Sequence, residues 1–156
     1  MSEGFIVIEG SREEKYRSVL DQLPFIIGGE RDLIANMANL AAMLKAQFGW
    51  HWVGFYLVKG DDLVLGPFQG PIACTRISRG KGVCGKAWSS RQSIIVQDVS
   101  LFPGHIACSA LSQSEIVVPV WSNSEIIAVL DVDSDLLSDF NETDRQFLEE
   151  IVALIG

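Results

Sequence analysis

The sequence predicts an α+β domain: a central antiparallel β-sheet of about six strands, with the N- and C-terminal helices packed on one face. Three observations predict it. Apolar residues recur at helical spacing near the two ends of the chain, over 30–48 and 141–155. Between them lie short runs of branched and aromatic residues, at 52–58, 63–66, 93–96, 114–120 and 126–133. The first two runs are joined by Lys59-Gly60-Asp61-Asp62, a turn short enough to make a hairpin. Strands grouped in the middle with helices outside them favour an antiparallel sheet over alternating βαβ units.

Each element has a local reason. Residues 11–22 open with Ser11 and then acidic residues, a capped helix start. In 30–48, Leu33, Met37, Leu40, Leu44 and Phe48 form one apolar face, and Gly49 ends the helix. The glycine-rich stretch GKGVCGKAW at 80–88 reads as a loop entering a short helix, and Phe102-Pro103-Gly104-His105 as an irregular loop. The last helix starts at an Asn or Thr cap, with Phe147, Ile151 and Leu154 on its apolar side. No repeat, low-complexity tract or linker interrupts the chain, so 1–156 is expected to be one domain with 1–10 as an N-terminal extension.

Composition narrows the function. A chain of 156 residues, 48% hydrophobic and 21% charged, can bury a core unaided. With 20 acidic and 12 basic residues its net charge is -8, which argues against nucleic acid and anionic membrane as partners. No apolar run reaches 18 residues, and MSEGFIVIEG lacks the features of a signal peptide, so the expected location is cytoplasmic. Cys74, Cys84 and Cys108 are an odd number and do not suggest a disulfide framework. With no CxxC and two histidines, they do not fit a structural zinc site either; no metal is expected.

Three groups of residues remain as candidates for chemistry. Cys84 lies between glycines and Cys108 follows FPGHIA; Lys81, Lys86 and His105 are near in sequence and would favour a thiolate if they made contact. Asp131 and Asp133 alternate in VLDVDS, which puts both on one sheet face, and Glu115 opens the apolar run EIVVPV. Carboxylates beside an apolar core either hold a proton or pair with a cation. Trp50, Trp52 and Tyr56 share parity around the first strand and offer an aromatic wall. The plain reading of each is a core thiol, a strand end emerging into solvent, and core packing.

Taken together, WVGFY at 52–56, LGPFQGPIAC at 65–74, GKGVCGKAW at 80–88, FPGHIACSALSQSEIVVP at 102–119 and VLDVDS at 129–134 resemble the free methionine-R-sulfoxide reductases, a GAF-fold family. The resemblance runs from about residue 30 to the C-terminus and covers all three cysteines and all three carboxylates. One departure is Ser109, where the family usually has Asp. The resemblance implies a single GAF domain that reduces free L-methionine (R)-S-oxide to methionine. Cys108 would attack the sulfoxide sulfur, while Asp133 or Glu115 supplies the hydrogen bond or proton that makes oxygen a leaving group. Cys108 would become a sulfenic acid, condense with a second cysteine, and be restored by thioredoxin. No cofactor is expected, the electrons arriving from NADPH through thioredoxin reductase and thioredoxin. The mobile, glycine-flanked setting inclines the resolving role toward Cys84, with Cys74 the other candidate. Asp131 and Glu115, with Asp133 shared, would take the substrate ammonium. Trp52 and then Tyr56 would wall its S-methyl end, and backbone N–H groups of the Pro103–Cys108 loop would suit its carboxylate. A homodimer through the terminal helices suits this fold. The competing readings are a GAF domain that senses a small ligand without chemistry and one that serves only as a dimerisation module.

Overall fold

A computed structural model describes residues 4–105 and 111–156. Cys108 and Ser109 therefore lie outside the described residues. The elements run α1 (Arg12–Ile27), α2 (Leu33–Phe48), β1 (Trp52–Lys59), β2 (Asp62–Gln69), β3 (Arg76–Ser78), α3 (Gly82–Ser90), β4 (Ile94–Val96), a 3-10 turn (Val99–Leu101), β5 (Ser114–Ser122), β6 (Glu125–Ser134) and α4 (Glu142–Ala153). The strands form one antiparallel sheet in the order β3-β2-β1-β6-β5-β4.

Sequence and structure differ in detail. Helix α1 runs on to Ile27 through Pro24, because Ile26 and Ile27 beyond the proline still pack on the core that Tyr16, Val19 and Leu23 bury into. Strand β3 is only three residues long and alternates exposed, buried, exposed, too short a pattern to stand out beside the glycines around it.

The sheet carries a core on each face. On one, α1, α2 and α4 bury Tyr16, Leu23, Met37, Leu40, Phe147 and Leu148 against Val53, Phe55, Val118, Leu130 and Val132 of the strands. The helices predicted at the two ends thus share this face. Helices α1 and α4 are also joined by polar contacts. The Tyr16 hydroxyl donates to buried Asp144 Oδ1 at 2.5 Å, and the Tyr16 ring stacks on Phe147. Asp144 Oδ2 closes the capping box of α4 by accepting from the Asn141 backbone N–H. The N-terminal extension is tied down as well: the Ile6 and Ile8 N–H groups donate to Gln22 and Gln47.

The other face carries the smaller core, where α3 covers Trp52, Tyr56, Val117 and Val129. Helix α3 comes close because Gly85 has no side chain: a Cβ there would stand 2.6 Å from the Ser78 carbonyl oxygen of β3. Trp50 departs from the parity reading. It precedes β1, so strand alternation does not govern it, and it packs with Phe48 and Phe140 in the larger core.

Candidate active site

The cleft lies between α3 and the central strands and encloses about 520 Å³, counting its open mouth. Register explains why these side chains meet. In β6, Asp131 and Asp133 stand opposite Gly54 and Trp52 of β1 on one side, and opposite Val117 and Glu115 of β5 on the other. Residues with this alternation face α3, so Trp52, Tyr56, Glu115, Asp131 and Asp133 all line the cleft. Gly54 leaves room at the centre of this face; a Cβ would sit 2.3 Å from the Phe68 Cβ and 2.6 Å from the Trp52 ring. The space is used by an aromatic wall in which Trp52 stacks on Phe68 at 5.2 Å and on Tyr56 at 6.0 Å. Two hydrogen bonds fasten the wall to the segment before β3: Trp52 Nε1 donates to the Pro71 carbonyl at 3.0 Å, and the Tyr56 hydroxyl to the Cys74 carbonyl at 2.8 Å.

The three carboxyls are packed too closely to be charged together. Burial and the neighbouring Asp133 push Glu115 up to about 8. Burial with Glu115 beside it raises Asp131 well above the usual carboxylate range, and burial with Asp131 does the same for Asp133. At neutral pH the cleft therefore holds protons on its carboxyls. His105 Nε2 stands 3.7 Å from Glu115 Oε1. This is not an ion pair at neutral pH, because burial lowers the histidine while it raises the glutamate.

The two cysteines that are described occupy different settings. Cys84 is a buried free thiol on α3, within 4.8 Å of donor atoms of Glu115 and Asp131. Its flanking glycines form a helix packed on the sheet, so the expected mobile setting is absent, and Lys81 and Lys86 point to solvent. Burial and the adjacent Asp131 and Glu115 push its pKa up, away from the thiolate. Cys74, half-buried ahead of β3, is disulfide-bonded.

The five residues put forward from the sequence for substrate binding, Trp52, Tyr56, Glu115, Asp131 and Asp133, all line this one cleft; Ile72, Ala73 and Ser112, which line it too, were not among them. Ile72 and Ala73 belong to the LGPFQGPIAC stretch that carries the resemblance, in which Cys74 alone was given a role. Of the loop assigned to the substrate carboxylate, the described part ends at His105, whose N–H is already donated to the Phe102 carbonyl. Residues 106–108 lie outside the described residues.

A polar, acid-lined cleft on one face of a six-stranded sheet, walled by aromatics and bordered by the Cys84 thiol, with the disulfide-bonded Cys74 fastened to its aromatic wall, defines a GAF-type ligand site with redox-capable groups. Residues 29–156 match the family model for the GAF domain. The free methionine-R-sulfoxide reductase of Escherichia coli is 44% identical over 92% of this chain and 87% of its own. GAF domain-containing protein A of Dictyostelium discoideum is 54% identical over 99% of both chains. Among solved structures, the free methionine-R-sulfoxide reductase of Neisseria meningitidis in complex with its substrate superposes with a TM-score of 0.95 and 49% identity, over 99% of this chain and 93% of that one. The chain belongs to the GAF-domain family of free methionine-R-sulfoxide reductases.

Proposed function

We infer that this protein reduces free L-methionine (R)-S-oxide to L-methionine. The observation that carries the reading is the buried set Glu115, Asp131 and Asp133 facing the Trp52–Tyr56 wall, in a chain closely similar to reductases solved with substrate. A sulfoxide needs a proton donor at its oxygen, and Glu115, held protonated up to about pH 8, is suited to that role with Asp133 beside it. A free amino acid brings an ammonium, which pairs with a buried carboxyl that gives up its proton as the substrate binds. Asp131 Oδ1 is buried and, among the described residues, has no hydrogen-bond partner, which fits it to receive that group. The aromatic wall suits the S-methyl end.

In the cycle we propose, the Cys108 thiolate attacks the sulfoxide sulfur. A carboxyl of the cleft gives its proton to the sulfoxide oxygen; the S–O bond and the new S–S bond then open as the hydroxyl passes to Cys108 Sγ, leaving Cys108 as its sulfenic acid and the substrate sulfur, reduced by two electrons, as methionine. A cysteine thiol then displaces water from the sulfenic acid to form a disulfide, and thioredoxin reduces that disulfide by exchange while becoming oxidised itself. Cys74 is the better resolving residue: it is disulfide-bonded here, whereas Cys84 is a free thiol held in a helix, with burial opposing its thiolate. No resident cofactor enters these steps. The protein works in the cytoplasm as a homodimer through its terminal helices; none of its described helices is long and apolar enough to cross a membrane.

The non-catalytic sensor reading is tested by the same experiment. NADPH consumption is followed with thioredoxin and its reductase, offering the free R-sulfoxide, the free S-sulfoxide and a peptide sulfoxide. Turnover of the free R form alone, abolished in Cys108→Ser, is expected. No turnover of any sulfoxide, with DTT also tried as reductant, overturns the reading and leaves a ligand sensor.

A further inference from the structure

The cleft contains donors that substrate chemistry does not use together. Cys84 Sγ, a Glu115 carboxylate oxygen and an Asp131 carboxylate oxygen all lie within 4.8 Å of one another. They come from three different elements, α3, β5 and β6, so the sheet and the helix packed on it hold them in place. All three residues are buried, and Asp131 is only 6% exposed. Asp131 lines the cleft, and its buried Oδ1 has no hydrogen-bond partner among the described residues. His105 lines the same cleft, with Nε2 3.7 Å from Glu115 Oε1.

We propose that this cleft is a binding site for a divalent cation of the zinc class, held by Cys84, Glu115 and Asp131 with His105 as fourth donor, which excludes the substrate ammonium and so inhibits the enzyme. A thiolate, an imidazole and two carboxylates suit a borderline-soft ion and not magnesium or calcium, which prefer all-oxygen shells. Tetrahedral ligands of such an ion stand about 3.5 Å apart, so donors that all lie within 4.8 Å of one another need only a small inward shift to ligate it. Binding releases protons: the Cys84 thiol loses one to solvent as the S–metal bond forms, and each protonated carboxyl that ligates loses another. Nothing is oxidised or reduced. The ion and the substrate compete because both take Asp131 and Glu115, so the inhibitory part rests on the reductase reading.

The test uses cobalt(II) as a spectroscopic stand-in for zinc. It is titrated, without reductant, into protein carrying the Cys74 disulfide, in which Cys84 is a free thiol. A thiolate-to-cobalt charge-transfer band saturating at one equivalent and lost on adding zinc is expected. Cys84→Ser, confirmed as folded by circular dichroism, loses the band, and Asp131→Asn weakens cobalt binding at least tenfold. No band in the wild type, or an equal band in Cys84→Ser, overturns the site. Inhibition is read separately by single turnover: reduced protein freed of reductant is mixed with free methionine R-sulfoxide, and the methionine released is followed. Zinc is expected to slow release at least tenfold at limiting sulfoxide, with recovery at high sulfoxide; an unchanged rate overturns the competition. A cobalt band in a protein that turns over no sulfoxide leaves the metal site standing and removes the reductase reading.

Discussion

At the scale of single residues, protonation and thiol placement decide the chemistry. If Glu115 is the acid, it must be protonated to act, and its pKa of about 8 puts the loss of activity above that pH. We expect kcat to fall as pH rises through about 8. Glu115→Gln should lower kcat by roughly 10²-fold or more and remove this alkaline limb, as a pH–rate profile of both proteins would show. A limb that persists unchanged in the variant would assign it to another group. The thiols give a second expectation. Cys74→Ser should release about one methionine per protein and then stop with thioredoxin as reductant, whereas Cys84→Ser should continue to cycle. Counting methionine released against protein present separates the two, and the reverse pattern would return the resolving role to Cys84. The sequence placed both cysteines among the candidates. It did not choose correctly between their settings, because glycines flanking a cysteine look the same in a loop and in a helix that must approach a strand closely, as α3 does at Gly85.

At the scale of elements, the site depends on helices that never touch it. Helices α1 and α4 clamp the opposite face of the sheet, and their polar junction is the Tyr16–Asp144 hydrogen bond. Both groups are buried, and burial with the Asp144 charge beside it raises the Tyr16 phenol far above its usual range, so the hydroxyl stays a donor. Tyr16→Phe leaves Asp144 with one fewer partner in an apolar setting, and should cost about 1–3 kcal/mol in denaturant unfolding. A change below about 0.5 kcal/mol would mean that Arg12, which reaches both Asp139 and Asp144, compensates for the loss. The elements themselves were largely legible. The end helices and five of the six strands were readable from periodicity, turns and caps, since these are local properties. Strand β3 was not, because three residues have no measurable period, and neither was the continuation of α1 through Pro24, which tertiary packing supports.

At the scale of the whole molecule, the buried carboxyls make stability depend on pH in a defined direction. Glu115, Asp131 and Asp133 all have raised pKa values in the fold, whereas unfolded carboxyls titrate near pH ~4. The folded state thus holds protons that the unfolded chain has lost, and stability falls as pH rises from about 4 to 8. Cys84 extends the same trend above its unfolded value of about 8.5. Thermal unfolding should therefore show a midpoint lower by several degrees at pH 8 than at pH 5, with a flatter profile in Glu115→Gln. A midpoint that rises over this range would show that the carboxyls are solvated or paired in solution.

The sequence by itself determined the fold class, because hydrophobic period, caps and turn residues act within a few residues of one another. It also determined that Asp131 and Asp133 share a face with each other, and that Trp52 shares one with Tyr56, since alternation along one strand is enough. Only the tertiary structure decided that these pairs face the same cleft. That follows from the register of β6 between β1 and β5, which sets Asp133 beside both Trp52 and Glu115. It also decided that Trp50 belongs to the other core and that Cys84 is a buried neutral thiol against two carboxyls. Pairing, burial and desolvation depend on residues far apart in the chain, and no spacing within a single segment encodes them.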